Sequence, residues 1–234
     1  MLFDPPLIPA TLLRRYKRFL ADVRLESGEE LTVHCPNTGS MKNCVVAESR
    51  CFLSDSQNPK RKYRFTWELA STPCGSVAGV NTGRANRLVE EAINAGRVAE
   101  LKGYPTMQRE RKYGEENSRI DLLLSGKGGN CYLEVKSVTL AESDRQGLFP
   151  DAVSARGSKH LRELMAMRTQ GHRAVLFFCV QHSGIDRVSP ADNIDPEYGR
   201  LLRLAQANGV EILAMRARLS SHEITLDERL PVVL

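Results

Sequence analysis

A change of rhythm near Gly79 constrains this chain more than any other feature of its sequence. Before that point, short runs of β character at 12–25, 30–35, 50–53 and 61–70 are separated by turn clusters such as Ser27-Gly28 and Pro36-Asn37-Thr38-Gly39. Several short strands punctuated this way predict a small β-barrel or sandwich. After it, helical and strand-like stretches alternate. A helix capped by Asn81 or Thr82 is expected to run to about Val98, with strands at 107–112, 119–124 and 131–140, a helix at 155–169 and a strand at 173–180. A helix at 196–207, stopped by Asn208-Gly209, leads into a strand at 210–219. The order α-β-β-β-α-β-α-β implies a mixed sheet flanked by helices, so the fold class is α/β, with domains at 1–80 and 81–234.

At 234 residues the chain can bury a core without metal or disulfide staples. Its longest apolar run, 174–180, falls far short of the ~20 residues that span a bilayer, so no membrane is expected as partner. The opening Met1-Leu2-Phe3-Asp4-Pro5-Pro6 lacks the basic and apolar stretches of a signal peptide, which points to the cytoplasm. Six cysteines show neither a Cys-x-x-Cys pair nor zinc spacing and read as reduced thiols.

The net charge is only +5, but the cations are clustered: Arg14, Arg15, Lys17 and Arg18; Lys60, Arg61, Lys62 and Arg64; and Arg109, Arg111 and Lys112. Polyanions are the matching partner class. In the run 62–69, Lys62, Arg64, Thr66 and Glu68 alternate with Tyr63, Phe65, Trp67 and Leu69, which places the aromatic row in a core and leaves Lys62 and Arg64 as backbone contacts.

The chemistry concentrates in one stretch. Glu-x-Lys occurs three times, at 100–102, 110–112 and 134–136, but only Glu134-Val135-Lys136 lies in an apolar strand that follows another apolar strand carrying an acid, Asp121. Glu134 and Lys136, two apart, share a strand face. If 119–125 and 130–137 form a hairpin turning at Lys127-Gly128, opposed residues have numbers that sum to 255, and Asp121 meets Glu134. Two carboxylates so placed repel; a divalent cation such as Mg²⁺ or Mn²⁺ relieves them. A neighbouring ammonium, Lys136, adds what phosphodiester hydrolysis requires. The plainer alternative is a pair of solvated acids and an unrelated lysine.

Asp121 followed by Glu134-Val135-Lys136 in this element order resembles the PD-(D/E)xK superfamily of restriction-endonuclease-like phosphodiesterases, with Ile120 where the motif has proline. The whole chain is similar to the SfsA family of sugar fermentation stimulation proteins. The resemblance is carried by His34-Cys35-Pro36-Asn37-Thr38-Gly39-Ser40-Met41, Asn81-Thr82 with Asn86, and Glu134-Val135-Lys136-Ser137-Val138-Thr139. It is carried equally by Phe149-Pro150-Asp151-Ala152 leading to Arg156-Gly157-Ser158-Lys159-His160-Leu161. It implies an N-terminal OB-like barrel, a C-terminal nuclease-like domain, DNA binding, and a part in regulating the use of maltose and other sugars. On it, Asp121, Glu134 and Lys136 are the catalytic candidates, with Asp121 and Glu134 as metal ligands. Glu90 and Glu91 are candidates for a further acid on the first helix, with a solvated role favoured.

Arg156, Lys159 and His160, at the start of the helix after that strand, are candidate phosphate contacts, as are Arg14, Arg15, Lys17, Arg18, Lys62 and Arg64 in the barrel. The expected partner is DNA, single- or double-stranded, bound without sequence preference, with a second copy of the chain as a further candidate. Two readings stay open: a metal-dependent nuclease, and a DNA-binding regulator that keeps a nuclease scaffold only for docking. A small-molecule enzyme using Cys35 lacks a visible base.

Overall fold

The computed structural model describes residues 1–142 and 144–234. The first part of the chain forms β1 (Ile8–Tyr16), β2 (Leu20–Leu25), β3 (Glu30–His34), β4 (Ser49–Asp55), β5 (Phe65–Ser71) and β6 (Val77–Gly79), ordered β3-β2-β1-β4-β5-β6. A parallel pairing of His34 with Thr66 joins β3 to β5 and closes the first five strands into a barrel. Leu12, Val23, Val33, Leu53 and Trp67 fill it, all fully buried.

Two barrel details depart from the sequence reading. The run 12–25 is two strands, not one, because Lys17 and Arg18 take positive φ (50° and 65°) and turn the chain. Such turns usually announce themselves with Asn or Gly, and here nothing does. The second departure lies in β5, which begins only at Phe65, so Lys62 and Arg64 precede it. The row expected outside is covered, with Thr66 and Glu68 buried along with Trp67 and Leu69. The rest of the chain packs on that side of the barrel.

Asn81, one of the two expected caps, caps a 3₁₀ turn (Thr82–Arg84) that leads into α1 (Ala85–Asn94), which ends short of the expected Val98, ahead of Gly96 at a φ of 67°. Then come β7 (Thr106–Tyr113), β8 (Ser118–Gly126), β9 (Gly129–Val138), β10 (Leu140–Ala141), β11 (Gln146–Phe149), α2 (Ala155–Thr169), β12 (Arg173–Val180), β13 (Arg187–Pro190), α3 (Pro196–Ala207), β14 (Glu211–Leu219) and β15 (Ile224–Arg229). The main sheet has the order β15-β14-β12-β9-β8-β7. Its centre, β9-β12-β14, is parallel, and antiparallel strands form both edges. Leu88, Val89 and Ala92 of α1 pack on one face against Leu122, Leu133 and Phe177. Leu161 and Leu164 of α2 and Leu202 of α3 cover the other against Leu176 and Phe178. Covered on both sides, β12 is apolar almost throughout, as a central parallel strand must be.

The architecture is thus the α/β class expected, a barrel followed by a mixed sheet between helices. A small sheet, β10-β11-β13, and the edge strand β15 were not anticipated. The two parts meet along β5 and β6: Gly79 N–H donates to Gln181 carbonyl at 2.7 Å, Ala78 bridges His182, and Arg84 reaches Glu68. No helix among the described residues is long and apolar enough to cross a membrane.

Candidate active site at the parting of two strands

The hairpin register is the one the numbers predicted. Gly126 pairs with Gly129 around Lys127-Gly128, and the ladder continues through Leu124↔Cys131 and Leu122↔Leu133, each pair summing to 255. One row further, where Asp121 and Glu134 were expected to oppose, β8 and β9 part. The same row is missing from the β7–β8 ladder, where Glu110 takes a positive φ of 53° between the pairs Arg109↔Leu122 and Arg111↔Ile120. The alternation of β8 inverts there: Leu122 belongs to the α1-side core and Ile120 to the α2-side core. Asp121 fills the break with its side chain. Its Oδ2 accepts the Val135 N–H at 2.8 Å, and its Oδ1 accepts from Asn86 Nδ2 of α1, also at 2.8 Å.

Glu134 is 2% exposed and projects toward α2. Its Oε1 accepts from Lys136 Nζ at 2.8 Å and from His160 Nδ1 of α2. On its other ring nitrogen, His160 Nε2 accepts from Arg156 Nε at 3.4 Å, and Lys136 Nζ lies 3.2 Å from its Nδ1. Glu134 Oε2 is buried with no hydrogen-bond partner, as are the hydroxyls of Tyr113 and Tyr198.

The electrostatics follow from this packing. Burial, and then the charge of Glu134, pushes the Asp121 carboxyl up to about 6, against the opposing pull of Val135, Asn86 and Lys136. For Glu134, burial also acts upward, but His160 and Lys136 outweigh it and hold the group below the usual carboxylate range. Burial and Glu134 raise both tyrosines above their ordinary value.

The donor set fits a hard divalent cation. Two electrostatically coupled carboxylates offer oxygen ligands, and the bare Oε2 of Glu134 is a buried acceptor whose unmet hydrogen bond costs about 1–3 kcal/mol. Among the described residues no group of three or more His, Cys, Asp or Glu side chains is gathered for a metal, so such an ion would complete its shell with backbone and water.

Comparison with known proteins places the whole chain. The profile of the "SfsA N-terminal OB domain" matches residues 13–80, and that of the "Sugar fermentation stimulation protein RE domain" matches residues 83–223. The chain belongs to the SfsA family. Sugar fermentation stimulation protein homologues from Teredinibacter turnerae and Saccharophagus degradans are 73% and 60% identical to it, over 100% of each chain. The structure of Pyrococcus furiosus SfsA in complex with Ca²⁺ superposes with a TM-score of 0.88 at 28% identity, covering 100% of this chain and 98% of that one.

Within this SfsA-family chain the structure sorts the basic residues that the sequence grouped together. Lys17, Arg18 and Lys62 are exposed, whereas Arg14 pairs with Asp22 and Arg64 with Asp55. Arg15 is an internal brace, since its Nη2 donates to the carbonyls of Arg18, Asn37 and Gly39 at 2.8, 2.9 and 3.0 Å. Arg156 and Lys159 line a groove beside His160, but His160 is 4% exposed and turned toward Glu134. Glu90 pairs with Arg109, and Glu91 with Arg87 and the N-terminal amine, so neither reaches Asp121. The α1 residue that does is Asn86, already within the family strings but without a role assigned. Nothing in the local sequence marks Tyr113 and Tyr198, which depend on long-range packing. Cys35 is wholly buried, its thiol against the Asn37 carbonyl and the Met41 sulfur.

Proposed function

We propose that this chain is a DNA-binding protein with a divalent-metal-dependent phosphodiesterase centre at Asp121, Glu134 and Lys136. The observation that carries the reading is the buried, unpartnered Oε2 of Glu134, coupled to Asp121 and next to an ammonium. A purely structural acid would have its lone pairs answered. The Ca²⁺ in the Pyrococcus furiosus relative supports a hard divalent cation, with Mg²⁺ or Mn²⁺ as the working ions. Asp121 and Glu134 would hold it, and when bound it would supply polarisation of a phosphate oxygen and acidification of a water.

The chain's own groups do the rest. Asn86 and the Val135 N–H fix the Asp121 carboxylate. His160, whose Nδ1 meets Glu134 Oε1, orients that carboxylate and is a positioning residue. Lys136 Nζ, 12% exposed along its side chain, is held by Glu134, where it stabilises negative charge developing on phosphate. Exposed Lys17, Arg18 and Lys62 give a sequence-blind hold on DNA. The role in maltose and other sugar use that the family name suggests would act through that binding.

The test is purified protein incubated with plasmid, single-stranded and branched DNA in Mg²⁺ or Mn²⁺. The expected result is nicking that disappears in Glu134→Ala and Lys136→Ala. If wild-type protein leaves all three substrates intact with either ion, the scaffold docks DNA without cutting it.

A further inference from the structure

Most arginines of this chain are matched to carboxylates: Arg64 to Asp55, Arg162 to Glu116, Arg203 to Asp192, Arg229 to Glu100. Beside His160 that pattern stops. A groove of about 440 Å³ lies between the β7–β8 hairpin and the first turn of α2, lined by Lys112, Arg119, Arg156 and Lys159, with the single acid Glu110. Among the described residues, none of these four cations forms an ion pair, although the neighbouring Arg162, Lys136 and His160 all do.

A second, independent feature lies in the same wall. Ser118, at the start of β8, is 5% exposed and its buried Oγ has no hydrogen-bond partner. A bare hydroxyl among four unpaired cations is a donor awaiting an anionic oxygen.

Four like charges hold this spacing only if the hairpin and the helix are locked together, and Glu163 of α2 is the lock. Buried to 2% exposure, its carboxylate accepts the N–H groups of Glu115 at 3.1 Å and Glu116 at 2.7 Å in the β7–β8 turn. Gly114 has a φ of +68°, and a Cβ there would fall 1.4 Å from Glu163 Oε2, so only glycine lets the carboxylate in. The ion pair of Arg162 with Glu116, at 2.8 Å, closes the other side. His160, which also lines the groove, accepts from Arg156 on one ring nitrogen and reaches Glu134 with the other.

We propose that this groove binds the phosphodiester backbone of a nucleic-acid strand beside the phosphate presented to Glu134 and Lys136, with Lys112, Arg119 and the Ser118 hydroxyl as phosphate contacts. The identity of the cleaved polymer rests on the phosphodiesterase reading above; the groove itself rests on its own charges. Cations on three elements along one trough match several phosphates in line better than one free inorganic ion.

The test is fluorescence anisotropy of labelled single-stranded and duplex oligonucleotides, titrated with full-length protein in a chelator across a range of salt. Lys112→Glu combined with Arg119→Glu is expected to weaken binding at least tenfold at about 100 mM salt and to flatten the log–log salt slope by about two. Ser118→Ala is expected to weaken it severalfold with the slope retained. Lys102→Glu combined with Lys127→Glu makes the same change in net charge at the other end of the ribbon and should leave binding near wild type. Unchanged affinity in the groove variants, or equal losses in the control pair, overturns the proposal. Nicking is scored separately: loss of binding in the groove variants of a protein that cuts nothing keeps the groove and retires the phosphodiesterase.

Discussion

Two buried glutamates, each on a strand and each beside a cation, show how differently one residue type is used in this molecule. Glu68 of β5, at the seam between barrel and sheet, has both oxygens answered. Ser54 and Arg84 donate to Oε1 at 2.7 and 2.6 Å, and Asn81 and Arg84 to Oε2 at 2.9 and 3.1 Å. Glu134 has donors crowded on Oε1 and none on Oε2. The first arrangement is closed; the second leaves one acceptor open at the expense of stability. Glu68→Ala is therefore expected to lose about 3–5 kcal/mol, because it strands Arg84 at the seam without a counter-charge. Glu134→Gln keeps an amide oxygen that can accept from Lys136 Nζ and removes charge from an oxygen with no donor, so it should cost less than Glu68→Ala while abolishing nicking. Urea unfolding of both variants decides this; a larger loss at Glu134 would place that residue among the structural acids.

The same contrast separates two buried histidines. His160 sits against a carboxylate, whereas His182, 3% exposed, accepts the Gly184 N–H on its Nδ1, and burial drives its pKa down to about 4. The sign follows directly. Unfolded chains take up the His182 proton as pH falls below about 6.5, while the folded chain refuses it until about 4. Stability is thus full above 6.5 and is lost across that window, by up to about 3 kcal/mol. Unfolding measured between pH 7 and 4.5 should show a steeper acid loss in wild type than in His182→Gln; parallel curves would mean that the bridge to Ala78 does not keep the ring dry.

Much of the fold around Asp121 and Glu134 was legible before any coordinates, and the reason is geometric. A two-residue turn at Lys127-Gly128 fixes the hairpin register, so arithmetic alone set Leu124 against Cys131 and Leu122 against Leu133, although the next row, expected to oppose Asp121 and Glu134, is the one at which the strands part. Period two put Lys136 beside Glu134. The helices 155–169 and 196–207 and the strand 173–180 were readable because caps and unbroken apolar runs are local signals. What stayed hidden was non-local. The parting of β8 from β9 depends on Asp121 capping the Val135 N–H, the burial of Glu68 depends on a second domain covering the barrel, and the Lys17-Arg18 turn uses residues that carry no turn signature. Charge clusters were the least informative feature, since the sequence cannot tell an exposed arginine from one bound to carbonyls.

Arg15 and Lys62 sharpen that last point and set the smallest of the expected effects. Both lie in basic runs of the barrel, yet Arg15 ties the Asn37–Gly39 turn to the end of β1, and Lys62 is exposed with its ammonium over the Tyr63 ring. Arg15→Gln should therefore cost about 1–2 kcal/mol of stability through the lost charge-assisted hydrogen bonds, and leave the salt dependence of DNA binding untouched. Lys62→Ala should do the reverse, with stability within about 0.5 kcal/mol of wild type and the log–log salt slope shallower by at most about one. A slope change in Arg15→Gln at intact stability would mean that the guanidinium leaves its carbonyls when DNA arrives, making the brace a mobile contact.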